Sequence, residues 1–137
     1  MKKFLISLFA LIIFTITVQA SSYQEAKNRA YNTGSYLINA GYTLKWMNGK
    51  YLNQGGYKTY SVYLYSGNRY AVVGGGSNGV RDLDVQVYNR YWDLIAADRD
   101  SSSASVVEFY PSRTGTYYIR TKMYSGNGYF FQMLGWK

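Results

Sequence analysis

Val80-Arg81-Asp82-Leu83-Asp84-Val85-Gln86-Val87-Tyr88 alternates apolar and polar side chains along most of its length, and its reading decides the fold. Successive side chains of a strand point to opposite faces, so Leu83, Val85 and Val87 share one face while Asp82, Asp84, Gln86 and Tyr88 share the other. The same period returns downstream, where Tyr117, Ile119, Thr121 and Met123 alternate with Tyr118, Arg120, Lys122 and Tyr124. One face of each segment then feeds a core and the other meets solvent, as in antiparallel sheets.

Working outward from this stretch, short strands punctuated by Gly, Asn and Ser are predicted from Gly55 onward, over 58–65, 69–74, 80–88, 93–98, 105–110, 116–124 and 129–136. That spacing predicts a mainly β protein, a jelly-roll-like antiparallel β-sandwich of about seven strands. Tyr65-Ser66-Gly67-Asn68 and Tyr124-Ser125-Gly126-Asn127 are nearly the same words. Gly and Asn tolerate positive φ, so each turn is expected to join adjacent antiparallel strands. Pro111 to Gly115 makes a further turn, with the one proline fixing its start. Gly74-Gly75-Gly76-Ser77-Asn78-Gly79 reads as a flexible interstrand loop; it opens no helix, so it lacks the helix N-terminus that would hold phosphate.

Upstream, residues 21–54 read as a helix and linker. Ser21 or Ser22 can cap the helix, Glu25 suits its first turn, and Ala26, Ala30, Gly34, Leu37 and Gly41 recur at spacings of three and four. Such a small-residue stripe is expected to lie against the sheet. Ahead of it, Lys2 and Lys3 precede an apolar run from Phe4 to Val18, and Val18-Gln19-Ala20 forms a cleavage box. Residues 1–20 are therefore predicted to be a signal peptide cut before Ser21 rather than a retained anchor, which would need a longer apolar run. The predicted product has 117 residues, no span of a membrane, and a place in the periplasm or outside the cell. No Cys is present for a lipid, a disulfide or a thiolate metal site, so stability must come from packing.

Loss of Lys2 and Lys3 leaves 13 basic residues against 7 acidic ones, a charge of +6 with no His to titrate. The basic residues are scattered singly, so no nucleic-acid partner is expected.

The run Tyr70-Ala71-Val72-Val73, then Asp82 through Tyr88, Leu94-Ile95-Ala96-Ala97-Asp98, Val106-Val107-Glu108-Phe109 and Thr114-Gly115-Thr116-Tyr117-Tyr118-Ile119-Arg120 resembles the bacterial pre-peptidase C-terminal domain. The resemblance covers about residues 55–136 and places residues 55–137 in a sandwich domain of that kind. It implies a module that binds or assists, with calcium-dependent stabilisation in the collagenase relatives. No peptidase accompanies it in this chain.

Catalytic motifs are missing. There is no His, no Cys, no Gly-x-Ser-x-Gly elbow and no phosphate loop, so the reading is not an enzyme. Asp82 and Asp84 lie two residues apart on one face, about 6 to 7 Å from each other, a spacing that glycosidases use. A glycosidase also needs a walled cleft and raised carboxyl pKa values there. Calcium suits these acids better: Asp82, Asp84, Asp98 and Asp100 could converge if the third and fourth strands form a hairpin, supplying several hard oxygens. Against that stand Arg81 and Arg99, and the habit of aspartates at strand ends of accepting turn N–H groups.

Aromatic residues are abundant, with 17 Tyr, 6 Phe and 3 Trp. Many serve core and cross-strand pairs. Tyr63, Tyr65, Tyr118 and Tyr124 are predicted to face outward near the two matching turns, where flat amphipathic rings suit sugars or extended peptides. The sequence thus points to a secreted or periplasmic non-catalytic binding module for an extracellular polysaccharide or protein. The competing class is a structural envelope protein, or one whose helix docks on a partner.

Overall fold

A computed structural model describes residues 22–137, and the signal peptide predicted over 1–20 lies outside the described residues. Helix α1 covers residues 22–39. Nine strands follow: β1 (Thr43–Trp46), β2 (Tyr51–Leu52), β3 (Tyr57–Leu64), β4 (Tyr70–Gly76), β5 (Val80–Tyr88), β6 (Leu94–Asp98), β7 (Ala104–Phe109), β8 (Gly115–Gly126) and β9 (Gly128–Trp136). One sheet runs β1-β9-β4-β7 with β2 also on β9, and the other runs β3-β8-β5-β6. Every pairing is antiparallel, and only β5 and β6 are both neighbours in the chain and partners in a sheet. Crossing from sheet to sheet at nearly every connection is how a jelly roll is wound, so the predicted architecture holds.

Three local expectations are corrected. β1 and β2 lie in the segment read as linker and pair with β9, making nine strands instead of about seven. They carry only four and two residues, too few for a period to show, and β9 supplies the pairing that defines them. Secondly, the two matching turns are not hairpins: β3 and β4 lie in different sheets, as do β8 and β9, so both turns are corners between layers. Gly67 at φ 91° and Gly126 at φ 88° supply the left-handed conformation these corners use.

Thirdly, Gly74, Gly75 and Gly76 are buried residues of the central strand β4, and only residues 77–79 are a turn. Gly74 and Gly76 face Leu83, Val85 and Val80 of β5, and Gly75 faces α1. A Cβ on Gly75 would come within 2.4 Å of the Ala30 nitrogen and 2.8 Å of the Ala26 carbonyl oxygen. Ala26, Ala30 and Leu37 are fully buried against Ala71, Val73, Phe131 and Met133. The small-residue stripe is thus occupied by the protein's own sheet, as predicted.

Strands β4 and β9 are covered on both sides, by α1 and by the second sheet. Between the sheets, Val72, Val85, Val87, Phe109, Tyr117, Ile119 and Leu134 form one cluster, and Leu83, Met123 and Phe130 belong to a second. Leu83, Val85, Val87, Ile119 and Met123 are fully buried, as their alternation required. Thr121 and Gln132, also fully buried, hydrogen-bond to each other across the sandwich, which satisfies polar atoms that would otherwise be costly there. Among the described residues no helix is long and apolar enough to cross a membrane.

Candidate functional site

With α1 on one sheet, the outer face of the β3-β8-β5-β6 sheet is left uncovered. Register sets its rows. Thr59 lies opposite Arg120 and Ser61 opposite Tyr118 on β3, while Gln86 lies opposite Arg120 and Tyr88 opposite Tyr118 on β5. The outward row of β8 is therefore Thr116, Tyr118, Arg120, Lys122 and Tyr124.

The β5–β6 hairpin folds a further ring onto this face. Asn89 organises the turn: its Oδ1 accepts from the Tyr91 and Asp93 N–H groups at 2.9 and 3.0 Å, and its Nδ2 donates to Asp93 at 2.9 Å. Trp92 then takes φ 65°, a left-handed conformation that costs a bulky residue. Its indole lies flat on Tyr118, with centroids 4.1 Å apart and planes 4° from parallel, and it remains 47% exposed. Beside this stack the Arg120 guanidinium sits 4.8, 5.3 and 5.6 Å from the rings of Tyr57, Tyr88 and Trp92. Arg120 has no acidic partner, since the one ion pair among the described residues joins Arg69 and Glu108 at 3.5 Å.

Tyr63 and Tyr65 are exposed and meet edge to face at 5.4 Å. Tyr124 is exposed at the far end of the β8 row, with the Lys122 ammonium 6.0 Å from its ring. Tyr118 is half-buried because Trp92 covers it. Tyr57, Trp92 and Arg120 were not among the predicted ligand residues. Trp92 and Tyr57 sit at or beyond a strand end, where alternation gives no facing, although the alternation had already placed Arg120 outward.

The aspartates behave differently from the tyrosines. The third and fourth predicted strands do form the hairpin, as β5 and β6, with Asp98 opposite Val85. Yet Asp98 spends its oxygens on the Asp100 and Val106 N–H groups at 3.1 and 2.8 Å. Among the described residues no group of three or more His, Cys, Asp or Glu side chains is arranged to hold a metal ion. Of the four predicted ligands Asp82, Asp84, Asp98 and Asp100, Asp98 is engaged in the turn chemistry that competed with calcium. Asp82 and Asp84 are buried side by side, each with an Oδ1 that has no hydrogen-bond partner. Burial, and then the neighbouring Asp82, push the Asp84 carboxyl up to about 6, against the lowering effect of Arg99. The raised pKa a glycosidase would want is present, but the surface hollows described for the chain are lined by other residues.

No family model and no curated protein matches the chain. Among solved structures it is similar to PliG of Aeromonas hydrophila, a periplasmic inhibitor of g-type lysozyme, at 13% identity over 70% of this chain and 84% of that one, with a TM-score of 0.46. It is similar to a family 6 carbohydrate-binding module from Clostridium cellulolyticum at 12% identity over 70% of this chain and 97% of that one, with a TM-score of 0.41. The pre-peptidase C-terminal domain of collagenase from Bacillus anthracis, of the family that the sandwich residues resemble, is also among the similar structures, at 14% identity over 68% and 86% of the two chains and a TM-score of 0.47.

Proposed function

We propose that the chain is an exported, non-catalytic module that binds an extracellular polysaccharide or protein through the outer face of its four-stranded sheet. The observation that carries this reading is the Trp92–Tyr118 stack. A half-exposed indole, fixed on a rigid strand by a ring beneath it, offers a flat amphipathic surface at low entropic cost. Tyr63, Tyr65 and Tyr124 extend that surface along the sheet, and Arg120 places a cation within it. Core packing gives no reason to hold an indole outside in a left-handed turn.

The test is an array of extracellular glycans and matrix proteins probed with the protein and with Trp92→Gly and Tyr118→Ala forms. Retention on some ligand by the parent, with a loss of about tenfold or more in each variant, is expected for a stacking site. Parent binding that both variants keep in full, or no retention on any surface, would overturn the reading. The structural envelope class would then stand.

A further inference from the structure

At the end of the sheet where β8 begins, a cavity of about 340 Å³ opens between the β5–β6 hairpin and the turn entering β8. Arg90, Tyr91, Ser112, Arg113, Thr114 and Thr116 are among its lining residues. Two arginines and four hydroxyl-bearing residues among these thus line one hollow, and no Asp or Glu lines it. Asp93, the acid on the same hairpin, lies outside the lining and has one carboxylate oxygen held by Asn89. Neither arginine is in an ion pair among the described residues. Arg90 donates to its neighbour Tyr91.

Both walls are fixed. Asn89 braces the hairpin, and the buried Tyr117 hydroxyl donates to the Arg113 carbonyl at 2.7 Å, pinning the opposite turn. The hollow is also continuous with the aromatic face. Tyr91 precedes Trp92 in the chain, and Thr116 stands two residues before Tyr118 on the same side of β8, about 7 Å away.

We infer that this cavity receives the carboxylate or sulfate of an acidic sugar, so that the polymer bound on the Trp92 face is an acidic polysaccharide. The inference rests on that face being the binding surface. Paired arginines with hydroxyl donors are the donor set that oxyanions take, and a preformed hollow spares the cost of gathering them. The excess of basic residues beyond residue 20, 13 against 7 acidic, works in the same direction at longer range. Farther along the face, Arg120 and Lys122 supply cations for the next acidic residues of such a polymer.

The experiment is titration calorimetry of the protein with polygalacturonate, with its fully methyl-esterified form, and with dextran sulfate. Carboxylate and sulfate are separated by the first and third arms, and charge is removed from the same sugar in the second. At least one acidic polymer is expected to bind about tenfold tighter than the ester, and an Arg90→Gln/Arg113→Gln form to lose about tenfold toward it. A Lys45→Gln/Lys50→Gln form, with the same charge removed from exposed positions on and beside β1, should change by less than about twofold. Thermal melts of both double variants check that each is folded.

Equal affinity for acid and ester, or equal weakening by the arginine and lysine pairs, would overturn the inference. Trp92-dependent binding to the ester would then leave the broader function standing. No binding to any of the three polymers overturns the inference, while the glycan and protein array still decides the broader function.

Discussion

Trp92 carries the largest side chain in the protein's alphabet on a backbone at φ 65°, and the rest of its hairpin holds it there. Substitution by glycine removes the ring and relieves the conformation together, so Trp92→Gly should leave stability unchanged or raise it by about 1 kcal/mol in urea melts, while binding is lost. A residue kept for stability would show the reverse. Asp84 makes a second argument at this scale. Its folded pKa of about 6 lies above the ordinary 3.8, so the folded state holds the proton more tightly than the unfolded chain. The stability it contributes is full below about pH 4 and is lost as pH rises through about 6. Asp84→Asn should therefore stabilise the protein at pH 7 by about 1 to 2 kcal/mol, allowing for partial solvent screening, and flatten the melting temperature between pH 4 and 6. An unchanged pH profile in the variant would remove Asp84 from the account.

Where α1 crosses β4, a Cβ at Gly75 would strike the helix backbone. The sequence made the helix legible through Ala26, Ala30, Gly34 and Leu37, because burial of one helical face imposes a period of three and four. It did not make the glycines of β4 legible, because a run of Gly has no side chains to alternate and resembles a loop. The crossing helix explains Gly75, while Gly74 and Gly76 face Leu83, Val85 and Val80 of β5 on the other side. Gly75→Ala should therefore destabilise the fold by about 2 kcal/mol or more in urea denaturation, with faster amide exchange in α1, since the added methyl meets helix backbone that cannot turn aside. The twin turns misled for a related reason: Gly-Asn chemistry records the need for positive φ, and a corner between sheets needs it as much as a hairpin does.

At the scale of the whole molecule, three layers stand in order, with α1 outside one sheet and the tyrosine-bearing face outside the other. A chain beginning at residue 42 would bare Ala71, Val73, Phe131 and Met133 on the five-stranded sheet. Such a truncation should aggregate and bind a hydrophobic dye, while a full-length Trp92→Gly protein should do neither. If the truncated form stays monomeric with an unchanged melt, α1 is not a layer of the domain. By itself the sequence determined the strand faces, the docked helix and the absence of the common nucleophile and phosphate motifs, because each is written in side-chain type and local period. The tertiary structure alone decided which strands pair, that Asp98 accepts from the Asp100 and Val106 N–H groups, that Trp92 covers Tyr118, and that Arg90 and Arg113 line one hollow. Those relations join residues remote in the chain, and two corners with the same local chemistry could have closed several different sheets.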